Sequence, residues 1–276
     1  MADILRARKA RGRCAFIPYI TAGDPSLEWT DRFARALAGA GADVIELGVP
    51  FSDPVADGAV NQRAAERALA AGTTLPKILR RVAGLRRRGF ATPIVLFTYY
   101  NPVLRMGLRA FARAAAEAGV QGVLAVDLPP EEASDYRASL GRAGVETVFL
   151  AAPTTSAARL RLIDEAATGF VYYVSRLGVT GERRSLSRAL RGDIKRLRRF
   201  VKNPIAVGFG ISTPEQARAA GAFADAVVVG SALVRCVQER PPRQAARSMK
   251  ELAAAMVRSL GLGRGRADSL KRPFWR

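Results

Sequence analysis

Short apolar runs recur along the chain, each followed by a stretch in which apolar positions return every three or four residues. The runs at 16–21, 43–47, 93–98, 122–126, 147–151, 170–174, 204–208 and 225–229 are β-branched and aromatic in character. They are continuous rather than alternating, which is what parallel strands covered on both faces require. Between them, Trp29, Phe33, Leu37 and Ala40 trace one helical face before Gly41. Leu108, Phe111, Ala115 and Ala118 do the same before Gly119, and Ala133, Tyr136, Leu140 and Ala143 before Gly144. Glycine just past a last turn accepts the left-handed conformation that ends a helix. Thr213-Pro214-Glu215-Gln216 reads as a capping box with proline at the first helical position.

Eight regular strand–helix units predict an α/β fold, a single (β/α)8 TIM barrel. An open doubly wound sheet is the rival, and the absence of any long interruption favours closure. The barrel is expected to occupy 1–260 as one domain, with a break at 239–243 before a last helix over 244–260. The basic tail at 261–276 is expected to fray.

A length of 276 residues suits such a barrel, and 49% hydrophobic with 25% charged residues excludes a disordered, collagen-like or disulfide-scaffold chain. Lys+Arg number 44 against 24 Asp+Glu, a formal charge of +20, and only six of the basic residues are lysine. The runs Arg80-Arg81, Arg86 to Arg88, Arg183-Arg184 and Lys195 to Arg199 fall on helical stretches without interleaved aromatics. They read as solvated faces, so no physiological nucleic-acid partner is expected. With no histidine, Ser-His and Cys-His mechanisms are excluded, and so is the commonest zinc ligand. Cys14 and Cys236 match no metal spacing; two buried or half-buried thiols in a reducing cytosol are the simpler reading, with a disulfide the alternative. No apolar run reaches the ~20 residues of a membrane span, and no secretory leader is apparent. A cytoplasmic protein without a membrane partner is expected.

In a barrel the chemistry belongs at the C-terminal ends of the strands. There Glu46 interrupts an apolar strand, sharing parity with Val44 while Asp43, Ile45 and Leu47 face the other way. It is either a structural glutamate bonded to a neighbouring strand or to water, or a carboxyl of raised pKa suited to passing a proton. The long loop that follows carries Asp53 and Asp57, turn formers or the second member of an acid/base pair. Gly208-Phe209-Gly210 after the seventh strand and Gly230-Ser231 after the eighth each lead into a helix. Backbone N–H groups there suit a phosphate. The glycine-bearing segment 175–181 reads as a lid.

These residues resemble a known family. FIPYITAGDP at 16–25, IELGVPFSDP at 45–54, ADG at 56–58, YNP at 100–102, DLPPE at 127–131, YVSRLGVTG at 173–181 and GFGIS at 208–212 are similar, in order, to the tryptophan synthase alpha chain. The resemblance implies retro-aldol cleavage of indole-3-glycerol phosphate to indole and glyceraldehyde 3-phosphate, with no cofactor on this chain. It implies that Glu46 is the catalytic acid/base, and that Asp57 accepts a hydrogen bond from the indole N–H. Thr180 on the lid would reach Asp57, and Tyr172 would stand beside Glu46. Gly181, Gly210, Gly230 and Ser231 would bind the phosphate, while Tyr19, Phe97, Tyr99, Leu124 and Leu150 would line the indole pocket. A pyridoxal-phosphate β chain in an αββα assembly is the implied partner, docking on 53–58, Asn101-Pro102 and 127–129. Ala59 replaces a usual proline, and Asn61 stands where an apolar residue is usual. With the +20 charge, those departures are the support for an alternative, a non-catalytic or stand-alone relative that binds a phosphate ligand and acts as activator or scaffold of a β chain.

Overall fold

A computed structural model describes residues 1–174, 183–208 and 210–261, with the backbone alone for 183–188. Eight parallel strands close into a barrel in sequence order: β1 (Ala15–Thr21), β2 (Ile45–Gly48), β3 (Ile94–Thr98), β4 (Gly122–Ala125), β5 (Glu146–Ala151), β6 (Phe170–Val174), β7 (Ile205–Gly208) and β8 (Ala226–Val229). The closing pair is β1 with β8, Ile17 opposite Val228. Around it run α1 (Ala2–Ala10), α2 (Leu27–Gly39), α3 (Ala59–Ala70), α4 (Leu75–Arg87), α5 (Tyr100–Met106), α6 (Leu108–Ala118), α7 (Ser134–Arg142), α8 (Ala157–Ala166), α9 (Arg183–Leu197), α10 (Pro214–Gly221), α11 (Ser231–Glu239) and α12 (Pro242–Gly261). The lid at 175–181 and all of the tail after Gly261 lie outside the described residues.

Alternation along each strand divides two apolar regions. Ile17, Val44, Val95, Leu124, Val148, Phe170, Tyr172, Ala206 and Val228 fill the interior, where Met1 and Leu5 of α1 join them. Phe16, Ile45, Leu96, Val123, Phe149, Tyr173 and Val227 point outward and pack under the helices. The strands are nearly continuous apolar runs because both faces are covered. β2 and β8 begin at Ile45 and Ala226, later than their sequence patterns suggest, because Asp43 and Asp225 serve as anchors. The Asp43 carboxylate accepts from the Phe16 N–H at 2.9 Å, and Asp225 from the Ile205 N–H at 2.8 Å. The same two carboxylates hold α1 to the barrel through Arg8 and Lys9, the latter at 2.8 Å.

Several arginines of the basic runs are fasteners, not solvated faces. Arg86 donates to the carbonyls of Gly119 at 3.0 Å, Phe90 at 2.7 Å and Thr92 at 2.7 Å, and to Gln121 Oε1 at 2.7 Å. Arg81 and Arg88 both close on Asp31 of α2. Arg196 reaches the carbonyls of Thr155 and Pro153, each at 2.9 Å. A planar guanidinium with five donors can saturate several carbonyls that lysine could not. Both cysteines are buried thiols outside any disulfide.

Asp225 is the most heavily used of these anchors. Burial alone would raise its pKa, but hydrogen bonds from Arg198, Lys9 and the Ile205 N–H hold it below the ordinary 3.8. A carboxylate of depressed pKa stabilises the fold above its unfolded pKa, and that stabilisation is lost as pH falls through the folded one. Asp225→Asn is therefore expected to lose about 2–3 kcal/mol at pH 7, discounted because Arg198 and Lys9 still reach water. Urea unfolding should find the difference at pH 7 and a progressively smaller one as pH falls below 3.8.

Candidate active site

Alternation sends Glu46 into the barrel near its C-terminal end, beside Tyr19 of β1 and Val95 of β3 in the strand register. The side chain is 1% exposed, and its Oε1 is buried without a hydrogen-bond partner. A carboxylate so placed is expensive to charge. Burial first, and then the nearby Asp57 carboxylate, push the Glu46 pKa from 4.5 up to about 8. At neutral pH this residue holds its proton. Tyr172 of β6 lies in the same field, its phenol held well above the ordinary range by burial and then by Glu46.

Asp57 is presented by the loop between β2 and α3, and the loop is tied down at several points. The Asp57 N–H donates to the Pro54 carbonyl at 3.0 Å. Gln62 Nε2 donates to the carbonyls of Asp57 at 2.9 Å and Pro54 at 3.3 Å. Tyr99 completes the support: its hydroxyl accepts from the Ala56 N–H at 2.9 Å and donates to Asp57 Oδ2 at 2.9 Å. The Tyr99 ring stacks on Phe51 at 4.9 Å. Burial raises the Asp57 pKa, while hydrogen bonds from Tyr99 and Asn61 oppose the rise. Burial thus raises both carboxyls, and at Asp57 hydrogen bonds to the charged form moderate the rise.

A cavity of about 300 Å³ opens over both carboxyls, lined by Tyr19, Phe97 and Tyr172 on the barrel side and by Gly210, Gly230 and Ser231 opposite. Tyr19 and Phe97 meet edge to face at 5.5 Å. Two strand-end glycines make room for the phenols: a Cβ at Gly48 would lie 2.2 Å from the Tyr19 hydroxyl, and one at Gly208 equally close to that of Tyr172. Ser231 opens α11, whose N-cap Gly230 supplies no side chain to its first N–H groups. α10 differs, for its capping box is complete: Gln216 Oε1 accepts from the Ser212 and Thr213 N–H groups at 2.8 and 3.2 Å. Of the two helix starts that the sequence offers to an anion, the one at α11 keeps its donors unclaimed by side chains.

The sequence-derived residues divide accordingly. Glu46, Asp57, Tyr19, Phe97, Tyr172, Gly210, Gly230 and Ser231 share the one cavity, and Tyr99 stands behind Asp57. Leu124 and Leu150 belong to the apolar interior of the barrel rather than to the cavity wall. Thr180 and Gly181 lie outside the described residues. Sequence reasoning missed Val60, Ile211, Val228 and Arg235, which also line the cavity. Arg235 was within reach of a helical-wheel argument, being four residues beyond Ser231 on α11 and so on the same face. It is the cation of the cavity wall among the described residues.

The arrangement offers a proton donor in a dry pocket, a fixed carboxylate beside it, aromatic walls and an anion cradle opposite. The chain matches the family model for the tryptophan synthase alpha chain over residues 5–260. It is 52% identical over 256 residues to the tryptophan synthase alpha chain of Laribacter hongkongensis, spanning 93% of this chain and 97% of that one. A crystal structure of tryptophan synthase subunit alpha from Legionella pneumophila superposes with a TM-score of 0.86 at 39% identity, covering 94% of this chain and 97% of the other. A chain from the α2β2 tryptophan synthase complex of Pyrococcus furiosus, solved to explain its mutual activation, superposes with a TM-score of 0.79 at 41% identity over 89% of this chain and 98% of that one. The chain belongs to the tryptophan synthase alpha chain family.

Proposed function

We propose that this chain cleaves indole-3-glycerol phosphate to indole and glyceraldehyde 3-phosphate, as the lyase half of a tryptophan synthase in tryptophan biosynthesis. The observation that carries the reading is a pair of carboxyls over one cavity, Glu46 pushed up to about 8 by burial and Asp57 with its rise opposed by hydrogen bonds to the charged form. Protonated Glu46 gives its proton to indole C3, which turns the ring into a cation with its charge spread to the ring nitrogen. The Asp57 carboxylate accepts the N–H hydrogen bond and stabilises that charge, in a site where little solvent screens it. The side-chain hydroxyl proton then passes to the Glu46 carboxylate. As it leaves, the C–O bond becomes the aldehyde, the bond to the ring breaks, and its electron pair restores aromatic indole. Tyr19, Phe97 and Tyr172 hold the ring. Gly210, the open start of α11 with the Ser231 hydroxyl, and Arg235 hold the phosphate dianion. Leu124 and Leu150 act through the barrel packing beneath, and Thr180 and Gly181 would complete the lid and the phosphate cradle.

No cofactor is called on in this scheme. The partner we propose is a β chain carrying pyridoxal phosphate, in an αββα tetramer. The proposed docking face is the end of the barrel where Val55 is 87% and Leu104 50% exposed. Val55 sits on the loop that carries Asp57, so a partner pressing on it acts directly on a catalytic group. A cytoplasmic setting suits two cysteines kept as thiols.

Indole release by the purified chain should be slow alone and faster when a β chain is added. Glu46→Gln and Asp57→Asn should each lower it by about 10²–10⁴-fold, with folding retained by circular dichroism. No indole from the folded parent chain under either condition would leave the activator or scaffold reading in its place.

The pH dependence of kcat/KM should be bell-shaped, because the reaction needs Glu46 protonated and Asp57 ionised. Its falling limb should lie near the Glu46 value of about 8. Asp57 should set the rising limb, above the ordinary value of 3.8.

Stability should follow the same carboxyl. Below 4.5, the ordinary value, Glu46 is protonated whether folded or not; between 4.5 and about 8 only the unfolded chain ionises. Over that window the parent is penalised by about 1.4 kcal/mol per pH unit. Glu46→Gln should therefore melt with the parent at pH 4 and above it at pH 7, the gap widening with pH.

A further inference from the structure

At the barrel end where the strands begin, opposite the Glu46 cavity, a second cavity of about 380 Å³ opens between α1, the start of β1 and α12. Phe16, Val257 and Leu260 form its apolar side. Its polar side carries Arg8, Arg13 and Arg258 against one carboxylate, that of Asp43. This carboxylate is already spent: Oδ1 pairs with Arg8, and Oδ2 accepts from the Phe16 N–H at 2.9 Å. Arg13 and Arg258 differ from the fastening arginines, for among the described residues neither guanidinium has a hydrogen bond or an ion pair. The turn after α1 fixes where Arg13 leaves the backbone, its N–H donating to the Arg8 carbonyl at 3.0 Å. A Cβ at Gly261 would lie 3.5 Å from Arg13 Nη2, so this guanidinium reaches across to the last turn of α12. Arg258 stands three residues before Gly261, on the same face of that turn.

We propose that this cavity is a second anion site, taking a phosphate monoester on a small apolar body. The phosphate dianion meets Arg13 and Arg258, and the body lies against Phe16, Val257 and Leu260. Two guanidinium forks match the charge and the oxygen geometry of one phosphate. The residues that follow Gly261 bring Arg264, Arg266, Lys271, Arg272 and Arg276 against Asp268 alone, so the chain itself adds positive charge here rather than an anion. The ligand would touch α1, β1 and α12 together, and Arg8 stays with Asp43 throughout. None of this depends on the lyase reading, since the two cavities share no residue.

The test follows leucine and valine methyl signals of the full chain by NMR during titration with phenyl phosphate. The expected result is a saturable shift of the Val257 and Leu260 methyls, with those of Leu162, 46% exposed on α8, unmoved. Val60 and Val228 line the Glu46 cavity and report it separately, so failure of the lyase reading and failure of this one show in different signals. Inorganic phosphate should bind beside Val257 and Leu260 about tenfold more weakly, because it leaves the apolar side uncovered. Arg13→Gln with Arg258→Gln should weaken phenyl phosphate there by about tenfold or more. Val60 and Val228 should respond in that variant as in the parent, and indole release should be unchanged. If the double variant fails to fold, Arg258→Gln alone is read in the same way. Val257 and Leu260 signals that do not saturate, that move together with Leu162, or that respond equally in the variant overturn the proposal.

Discussion

A closed barrel leaves no room for a free choice of side chains on its inner face. Every second residue of eight strands points at the same axis, and the space is filled by Val44, Val95, Leu124, Val148, Phe170 and their neighbours. Placing a carboxyl among them at Glu46 creates an electrostatic problem before any substrate arrives. Charge is disfavoured there because the carboxyl is buried and the Asp57 carboxylate is near, and the group responds by keeping its proton. The rest of the site answers to that one placement. Asp57 beside it is raised less simply, because the loop from β2 is bound to Tyr99 and Gln62, reaches a less buried position and gives the carboxylate a hydrogen bond that opposes the rise. The pair therefore divides its labour by environment rather than by chemical type.

The fold was legible because its signal is repetitive. Eight apolar runs with helical stretches between them survive errors of a residue or two at each end, and closure follows from their number and regularity. The errors fell where side chains override propensity: Asp43 and Asp225 stop being strand and become anchors for the neighbouring backbone. Glu46 was legible for a similar reason, as a polar residue on the inward parity of an apolar strand. Asp57 was only half legible from spacing, since an aspartate followed by glycine suits a turn equally well; the resemblance to a family separated it from Asp53. Leu124 and Leu150 show the limit of transferring roles by position, because parity places a residue inside the barrel without saying at which depth. Arg235 and Ile211 approach the cavity from helices and loops, where three-dimensional closure decides the neighbours. No period in the sequence could supply that.

The arginine content was the feature most easily misread. Runs of like charge on helices ordinarily mean a wetted surface, yet Arg81, Arg86, Arg88, Arg196 and Arg198 each bind carbonyls or carboxylates that belong to another element. A guanidinium bridging helix ends and loop carbonyls does the work of a cap for segments whose own residues provide none. Part of the basic excess is thus structural, and it coexists with a cavity wall in which Arg235 is the cation among the described residues. Positive charge is plentiful on this chain and sparse where the two carboxyls must differ.

The sealed position of Glu46 has one further consequence. In the proposed cycle the carboxyl gives a proton to carbon and receives one from a hydroxyl within the same turnover, and so ends in the state in which it began. No proton has to cross the barrel wall to restore it. The burial that makes the group reluctant to ionise would therefore impose no refilling step between one molecule of substrate and the next.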